Sequence, residues 1–214
     1  MATRQPSCIL FDLGNVLVHI SPPAFLQRLG LDTPDHRLFY QAHINEIVRQ
    51  YECGNEDTDE FLSRLDSLFN KNAEESSSAA RGHTISRDEL RTAMLAVIGT
   101  PVEGMLELVA RLGRSLPLGL LSNTNPLHYD WCMEHLPVLH HIPSHFLSYQ
   151  LKSLKPDPRI FTRVVEGLQI APGDIFYVDD IPENVEAGRR VGMNSYLFSG
   201  RERLEQDLRE MGLK

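Results

Sequence analysis

Two hydrophobic rhythms divide this chain. In one, apolar residues stand side by side in short runs: Cys8-Ile9-Leu10-Phe11, Leu116 to Leu121, Phe146-Leu147, Ile175 to Val178, and Ser195 to Phe198. Such runs, too short for helices and without polar alternation, fit strands buried on both faces of a parallel sheet. In the other rhythm apolar residues recur every three or four positions, as on one face of a helix. Between residues 20 and 98 only this second rhythm occurs. Tyr40, Ile44, Ile47, Val48 and Tyr51 form one stripe, and Gly54-Asn55 ends it. Asp57, with Glu60 in the first turn, caps a second stripe of Phe61, Leu62, Leu65, Leu68 and Phe69. Asn72 to Arg81 is polar and Ser/Ala-rich, a loop or a frayed helix. Ser86-Arg87-Asp88-Glu89 is a capping box ahead of Leu90, Met94 and Val97. No strand is expected in this stretch, which reads as a helical insert.

From Gly99 onward the two rhythms alternate. Thr100-Pro101-Val102-Glu103 combines an N-cap, a proline at the first helical position and a capping-box glutamate. It predicts a helix lined by Val102, Met105, Leu106, Val109 and Leu112. Further helices are expected from Pro126 to about His135, after Lys155-Pro156-Asp157-Pro158 with Ile160, Phe161, Val164, Val165 and Leu168 inside, along Ile181, Val185 and Gly188, and along Leu204, Leu208 and Met211. A third strand is placed at Phe146 to Tyr149. Alternation of this kind predicts an α/β fold, a doubly wound parallel-sheet core with helices on both faces. Residues 1–19 and 99–214 would form that core, and residues 20–98 the insert after the first strand.

Charge narrows the choice of partners. Twenty-nine acidic against 21 basic residues leave a net charge of −8. That argues against nucleic acid or an acidic membrane surface as partner, and requires local positive charge for any anionic substrate. The three cysteines, Cys8, Cys53 and Cys132, are far apart, and Met1 to Ser7 has no apolar signal core. A reduced, cytoplasmic setting is the expectation. Cys8, inside the first strand, reads as a small core hydrophobe.

Chemistry-bearing residues collect where strands end: Asp12, Ser122-Asn123 and Asp179-Asp180, with Lys155 on a helix approach. In a parallel sheet the carboxyl ends of the strands share one edge, so these groups can meet in one cleft. The residue types suit phosphoryl transfer. A carboxylate can attack phosphorus, several carboxylates with a backbone carbonyl suit Mg²⁺, and a hydroxyl, backbone N–H groups and a lysine can hold phosphoryl oxygens. Taken singly, each has a plainer reading: a turn former, a helix cap or a surface lysine. Their order and their common place at strand ends favour the functional one.

Phe11-Asp12-Leu13-Gly14-Asn15-Val16-Leu17, Leu121-Ser122-Asn123, Leu154-Lys155-Pro156-Asp157 and Val178-Asp179-Asp180 resemble, in order, the four motifs of the haloacid dehalogenase superfamily in its phosphatase branch. Within it the chain resembles sugar-phosphate phosphatases of the α-D-glucose-1-phosphate phosphatase kind, which share the Ser-Asn-Thr-Asn stretch with Leu127-His128 and the acidic pair with Asn184. The resemblance implies a helical cap at residues 20–98. It implies Asp12 as nucleophile in a Mg²⁺-dependent phosphatase acting on a small phosphorylated metabolite through an aspartyl phosphate. Asp12, the Gly14 carbonyl, Asp179 and Asp180 would hold the metal. Ser122, the Asn123 N–H and Lys155 would bind the phosphoryl group, and Asn184 would support the metal site.

One position departs from the common pattern. Most phosphatases of the superfamily carry a second aspartate, the general acid, where this chain has Gly14. A cap residue, water or the substrate would then supply the proton, and substrates with good leaving groups such as sugar 1-phosphates would be preferred. The same gap keeps a non-catalytic phospholigand-binding protein open as an alternative. A metal-independent dehalogenase is disfavoured by Asp179-Asp180. His128, His135, His140, His141 and His145 form no metal-ligand motif and read as polar loop histidines. His19 stands at the expected core–cap junction, where it either enters the site or packs. His43 and Arg49 read as solvated helix positions.

Overall fold

A computed structural model describes residues 5–71 and 84–213. The expectation for Asn72 to Arg81 lies outside the described residues. Five parallel strands make the main sheet: β1 (Cys8–Phe11), β4 (Leu118–Ser122), β5 (Ser144–Leu147), β6 (Ile175–Asp179) and β7 (Asn194–Leu197). Their order is β5-β4-β1-β6-β7. The first strand is therefore central, pairing Phe11 with Leu120 on one side and with Val178 on the other. All four of its residues are fully buried, which explains its unbroken apolar sequence.

Successive side chains of β1 enter opposite layers, as the two-residue period requires. Ile9 and Phe11 join one apolar cluster with α5 (Met105–Leu112) and α10 (Arg201–Glu210). Leu10 joins another with α8 (Pro158–Leu168) and α9 (Pro182–Val191). The sheet is thus wound on both faces. Chain order runs outward from β1 to β5 on one side, then restarts beside β1 with β6. That reversal puts the ends of β1 and β6 next to each other, where open α/β sheets place their ligands.

Four α-helices of the described residues lie between Ile20 and Ile98 in sequence: α1 (Pro23–Arg28), α2 (Pro34–Glu52), α3 (Thr58–Asp66) and α4 (Arg87–Leu95). They share an apolar cluster of their own, in which Tyr51 stacks on Phe61 at 4.2 Å, and to which Leu127 is added from α6 (Pro126–His135). Ser86 and Glu89 form the expected capping box, and Asp57, expected as a cap, forms a second one with Glu60.

Several expectations need correction. The insert is flanked by two short strands, β2 (Val18–Ile20) and β3 (Ile98–Pro101), which pair antiparallel. Thr100-Pro101 is therefore strand, and α5 begins only at Met105. Pairing to β2 prevails over the local cap signals, and Gly104 makes the turn with φ +73°. The buried stripe accordingly includes Leu108, while Leu106 is 37% exposed. The third strand spans Ser144–Leu147, and Ser148 already opens the short helix α7 (Ser148–Leu151). Ile181 precedes α9 as its N-cap and is 46% exposed. No helix among the described residues is long and apolar enough to cross a membrane.

Candidate active site

The sheet edge brings the sequence-predicted residues together. Asp12 follows β1, Ser122 ends β4, Asp179 ends β6, and Lys155 comes in from the loop before α8. The Lys155 ammonium lies 2.7 Å from Asp12 Oδ1, 2.6 Å from Asp179 Oδ2 and 3.0 Å from the Leu121 carbonyl. All three of its N–H donors are thereby used. Burial works against its charge, but Asp12 and Asp179 outweigh that and hold the ammonium above its ordinary range. The backbone of Lys155 is fixed by Asn123, whose side-chain amide donates to the Lys155 carbonyl at 3.0 Å and accepts from its N–H at 2.8 Å. Asn123 thus positions the lysine through its side chain. Its own backbone N–H meets no partner among the described residues.

The two carboxylates around Lys155 are served unequally. Asp179 accepts from Lys155, from the Tyr177 hydroxyl at 2.5 Å, from the Ile181 N–H at 2.8 Å and from Asn184 at 3.0 Å. Burial alone would raise its carboxyl, yet these donors, Lys155 first, hold it below the usual range. Asp12 has fewer partners. Burial pushes its carboxyl up to about 7, with Lys155 pulling down and the charge of Asp179 pushing further up. Asp180 accepts from the Asn15 side chain at 3.0 Å, and Asn15, at φ +54°, in turn takes the Ile20 N–H on its Oδ1.

One oxygen each from Asp12, Asp179 and Asp180 lies within 4.8 Å of the others. Three carboxylates around a single ammonium leave negative charge uncompensated, and an all-oxygen donor set of this kind fits a hard divalent cation. A cation there would draw Asp12 back to its carboxylate form.

Against the sheet edge, facing α2 and α4, lies a cavity of about 220 Å³. Leu13, Gly14, Ser122 and Asn123 form its floor, and Asn45, Val48 and Glu52 of α2 stand opposite. His128 also lines it. This histidine is on α6, inside the helix expected from Pro126 to about His135, so its reading as a loop histidine does not hold. Its Nε2 faces the Met94 carbonyl at 2.9 Å and its Nδ1 the Asn125 amide at 3.2 Å. His145, too, is on a strand, with Nδ1 at 2.5 Å from the Tyr129 hydroxyl. His19, His43 and Arg49 are exposed. Cys8 is fully buried and its thiol is raised to about 11, as fits a core residue.

A sequence model of the haloacid dehalogenase-like hydrolases matches residues 6–192. The chain belongs to this family. A curated relative, D-ribitol-5-phosphate phosphatase of Bacteroides thetaiotaomicron, is 29% identical over 197 residues, covering 88% of this chain and 89% of that protein. Flavin mononucleotide hydrolase 1 of Arabidopsis thaliana is 29% identical over 113 residues, 52% of this chain and 46% of that protein. Among solved structures, a family enzyme of Bacteroides thetaiotaomicron in complex with magnesium and inorganic phosphate superposes with a TM-score of 0.75 at 23% identity, covering 91% of this chain and 95% of that one. A hydrolase of Porphyromonas gingivalis gives 0.76 at 22% identity, with 98% and 99% covered. These two likenesses concern the fold.

The sequence offered only partial signals for three residues that complete the site. Tyr177 could have been found, since it precedes Asp179 by two on β6 and so shares its face. Asn15 lay inside a motif, but its contact with Asp180 spans 165 positions. Glu52 stood at the end of a helical stripe with nothing to mark it.

Proposed function

We propose that this hydrolase is a Mg²⁺-dependent phosphatase of a small phosphomonoester, a sugar or sugar-alcohol phosphate, working through an aspartyl phosphate. The observation that carries this reading is the buried Asp12–Lys155–Asp179 bridge at the β1/β6 edge, with Asp180 completing a three-carboxylate cluster. The D-ribitol-5-phosphate phosphatase relative supports the substrate class.

Asp12, the Gly14 carbonyl, Asp180 and Asp179 would hold Mg²⁺, which when bound supplies positive charge beside the phosphoryl oxygens. Asp179 already accepts from four donors, so Asp12 and Asp180 carry most of that task while Asp179 fixes Lys155. Asn184 keeps Asp179 in place. Asp12 attacks phosphorus. The Ser122 hydroxyl and the Asn123 N–H hold the phosphoryl oxygens as charge develops there, and the Lys155 ammonium, its donors already engaged, binds them through its charge. Water then cleaves the acyl phosphate and frees Asp12. Residues 20–98 serve as a cap over the residues 1–19 and 99–214 core, excluding bulk water and selecting the substrate.

Phosphate release from D-ribitol 5-phosphate, glucose 1-phosphate, glucose 6-phosphate and p-nitrophenyl phosphate tests the reading, with Mg²⁺ or EDTA, for wild type and Asp12→Asn. Turnover that requires both Mg²⁺ and Asp12 is expected. Turnover that survives EDTA, or survives Asp12→Asn, overturns it.

A further inference from the structure

Cleaving an alkyl phosphate leaves an alkoxide that needs a proton, and a positioned donor is typically worth roughly 10²–10⁴ in rate. The question of its source rests on the phosphatase reading above. Near Asp12 the obvious donors are engaged. Lys155 spends its three protons on Asp12, Asp179 and Leu121. Tyr177 donates to Asp179, and burial holds its hydroxyl well above its ordinary range. Gly14 carries no side chain, and Ile20 Cδ1 lies 3.0 Å from where a Cβ would stand, so hydrocarbon fills that wall.

Three titratable side chains line the cavity among the described residues: Glu52, His128 and Cys132. His128 has both ring nitrogens engaged and is kept neutral by burial. The Cys132 thiol is buried and raised to about 12, too high to give up its proton near neutrality. Glu52 differs. Its carboxyl accepts no hydrogen bond among the described residues, yet the end of α2 that carries it is tied to the core. The Ser148 hydroxyl lies 2.7 Å from the Glu52 carbonyl and also takes the Thr124 N–H at 3.0 Å, on the loop just past Ser122. The neighbouring Tyr51 hydroxyl takes the Leu127 N–H at 3.3 Å, and the Lys152 ammonium donates to the Gly54 carbonyl. One buried serine thus fixes the loop proposed to bind phosphate and the end of α2 relative to each other.

We propose that Glu52 is the general acid and base of the reaction. As Asp12 bonds to phosphorus and the P–O bond to the substrate breaks, the Glu52 carboxyl gives its proton to the departing oxygen, releasing the alcohol. The resulting Glu52 carboxylate takes a proton from the water that attacks phosphorus. The acyl phosphate opens to phosphate and the Asp12 carboxylate, and Glu52 is again protonated. Burial raises the Glu52 carboxyl to about 7, opposed only by Lys155, which suits a group that must both give and take a proton at neutral pH. The charged and titratable groups around it are Lys155 ahead of α8, Lys152 beyond α7, and His128 and Cys132 on α6. The cavity faces of α4, β2 and β3 are hydrocarbon.

The test compares wild type, Glu52→Gln and Glu52→Asp with Mg²⁺ across pH. One substrate is p-nitrophenyl phosphate, whose leaving group needs no proton. The other is D-ribitol 5-phosphate or glucose 6-phosphate, whichever the wild type turns over faster. Glu52→Gln is expected to lose roughly 10²–10³-fold in kcat/KM on the alkyl phosphate and less than about tenfold on the aryl one. The fall in activity above pH about 7 should vanish on the alkyl substrate, and Glu52→Asp should recover part of the rate. Equal losses on both substrates, or none on the alkyl one, overturn the role of Glu52 alone. A wild type that cleaves only the aryl phosphate, dependent on Asp12, overturns it as well, since no working acid is then present. No Asp12-dependent release from either substrate overturns the phosphatase reading and this inference together.

Discussion

The two sides of the candidate site are built on opposite plans. On the sheet side the charged groups are buried and interlocked: Lys155 bridges two carboxylates, and Asp179 accepts from four donors. On the α2 side the polar groups are loosely held. Gln41 and Asn45 are exposed and bonded mainly to each other at 2.8 Å, and the Glu52 carboxyl accepts no hydrogen bond among the described residues. The sheet wall is preorganised, so its groups are costly to disturb and suited to a fixed task such as holding a phosphoryl group. The α2 wall can meet different substrates, and the one acid it brings to the cavity, the half-buried Glu52, is not pinned by such a hydrogen bond.

The sharpest way to break this contrast is Lys155→Met. It leaves Asp12 and Asp179 buried without their cation, which typically costs about 3–5 kcal/mol. Urea unfolding of the metal-free protein at pH 8 should show a loss of that order. Much of it should return at pH 5, where Asp12, raised to about 7, takes up a proton. A loss that does not depend on pH would mean that the bridge is not what holds this wall.

Glu52 gives the next largest effect, with the opposite sign. Its carboxyl is raised from 4.5 to about 7, so the folded protein binds its proton more tightly than the unfolded chain does. The stability this confers is complete below pH 4.5 and fades as pH rises to about 7. Relative to Glu52→Gln, the wild type should therefore lose up to roughly 3 kcal/mol between those limits and then stay level. Paired unfolding curves in EDTA measure it, and parallel curves for the two proteins would show that the carboxyl is solvated after all.

The smallest change probes the link between the walls. Ser148→Ala removes the hydroxyl that joins Glu52 to Thr124 and leaves buried backbone groups unpaired, at about 1–3 kcal/mol. It should lower kcat more than it raises KM, because both walls lose their mutual alignment. A pure stability loss with unchanged kcat would show that the walls align independently.

What the sequence by itself determined was whatever depends on neighbours a few residues apart. The unbroken run of β1, the capping boxes of α3 and α4 and the stripes of α2 and α8 are local signals, and each is present in the structure. The catalytic candidates were legible for a related reason, since a parallel sheet puts every strand's carboxyl end on one edge and Asp12, Ser122 and Asp179 stand at such ends. Only the tertiary structure decided what depends on distant partners. The β2–β3 pairing displaced the start of α5 from Pro101 to Met105, against good local cap signals, because its partner lies at the other end of the insert. The crowding of donors on Asp179, the loop–α2 tie through Ser148 and the placing of half-buried Glu52 in the cavity likewise join segments far apart in the chain. Charge and burial at such points are set by what folds against them, and neighbouring residues in the sequence carry no record of it.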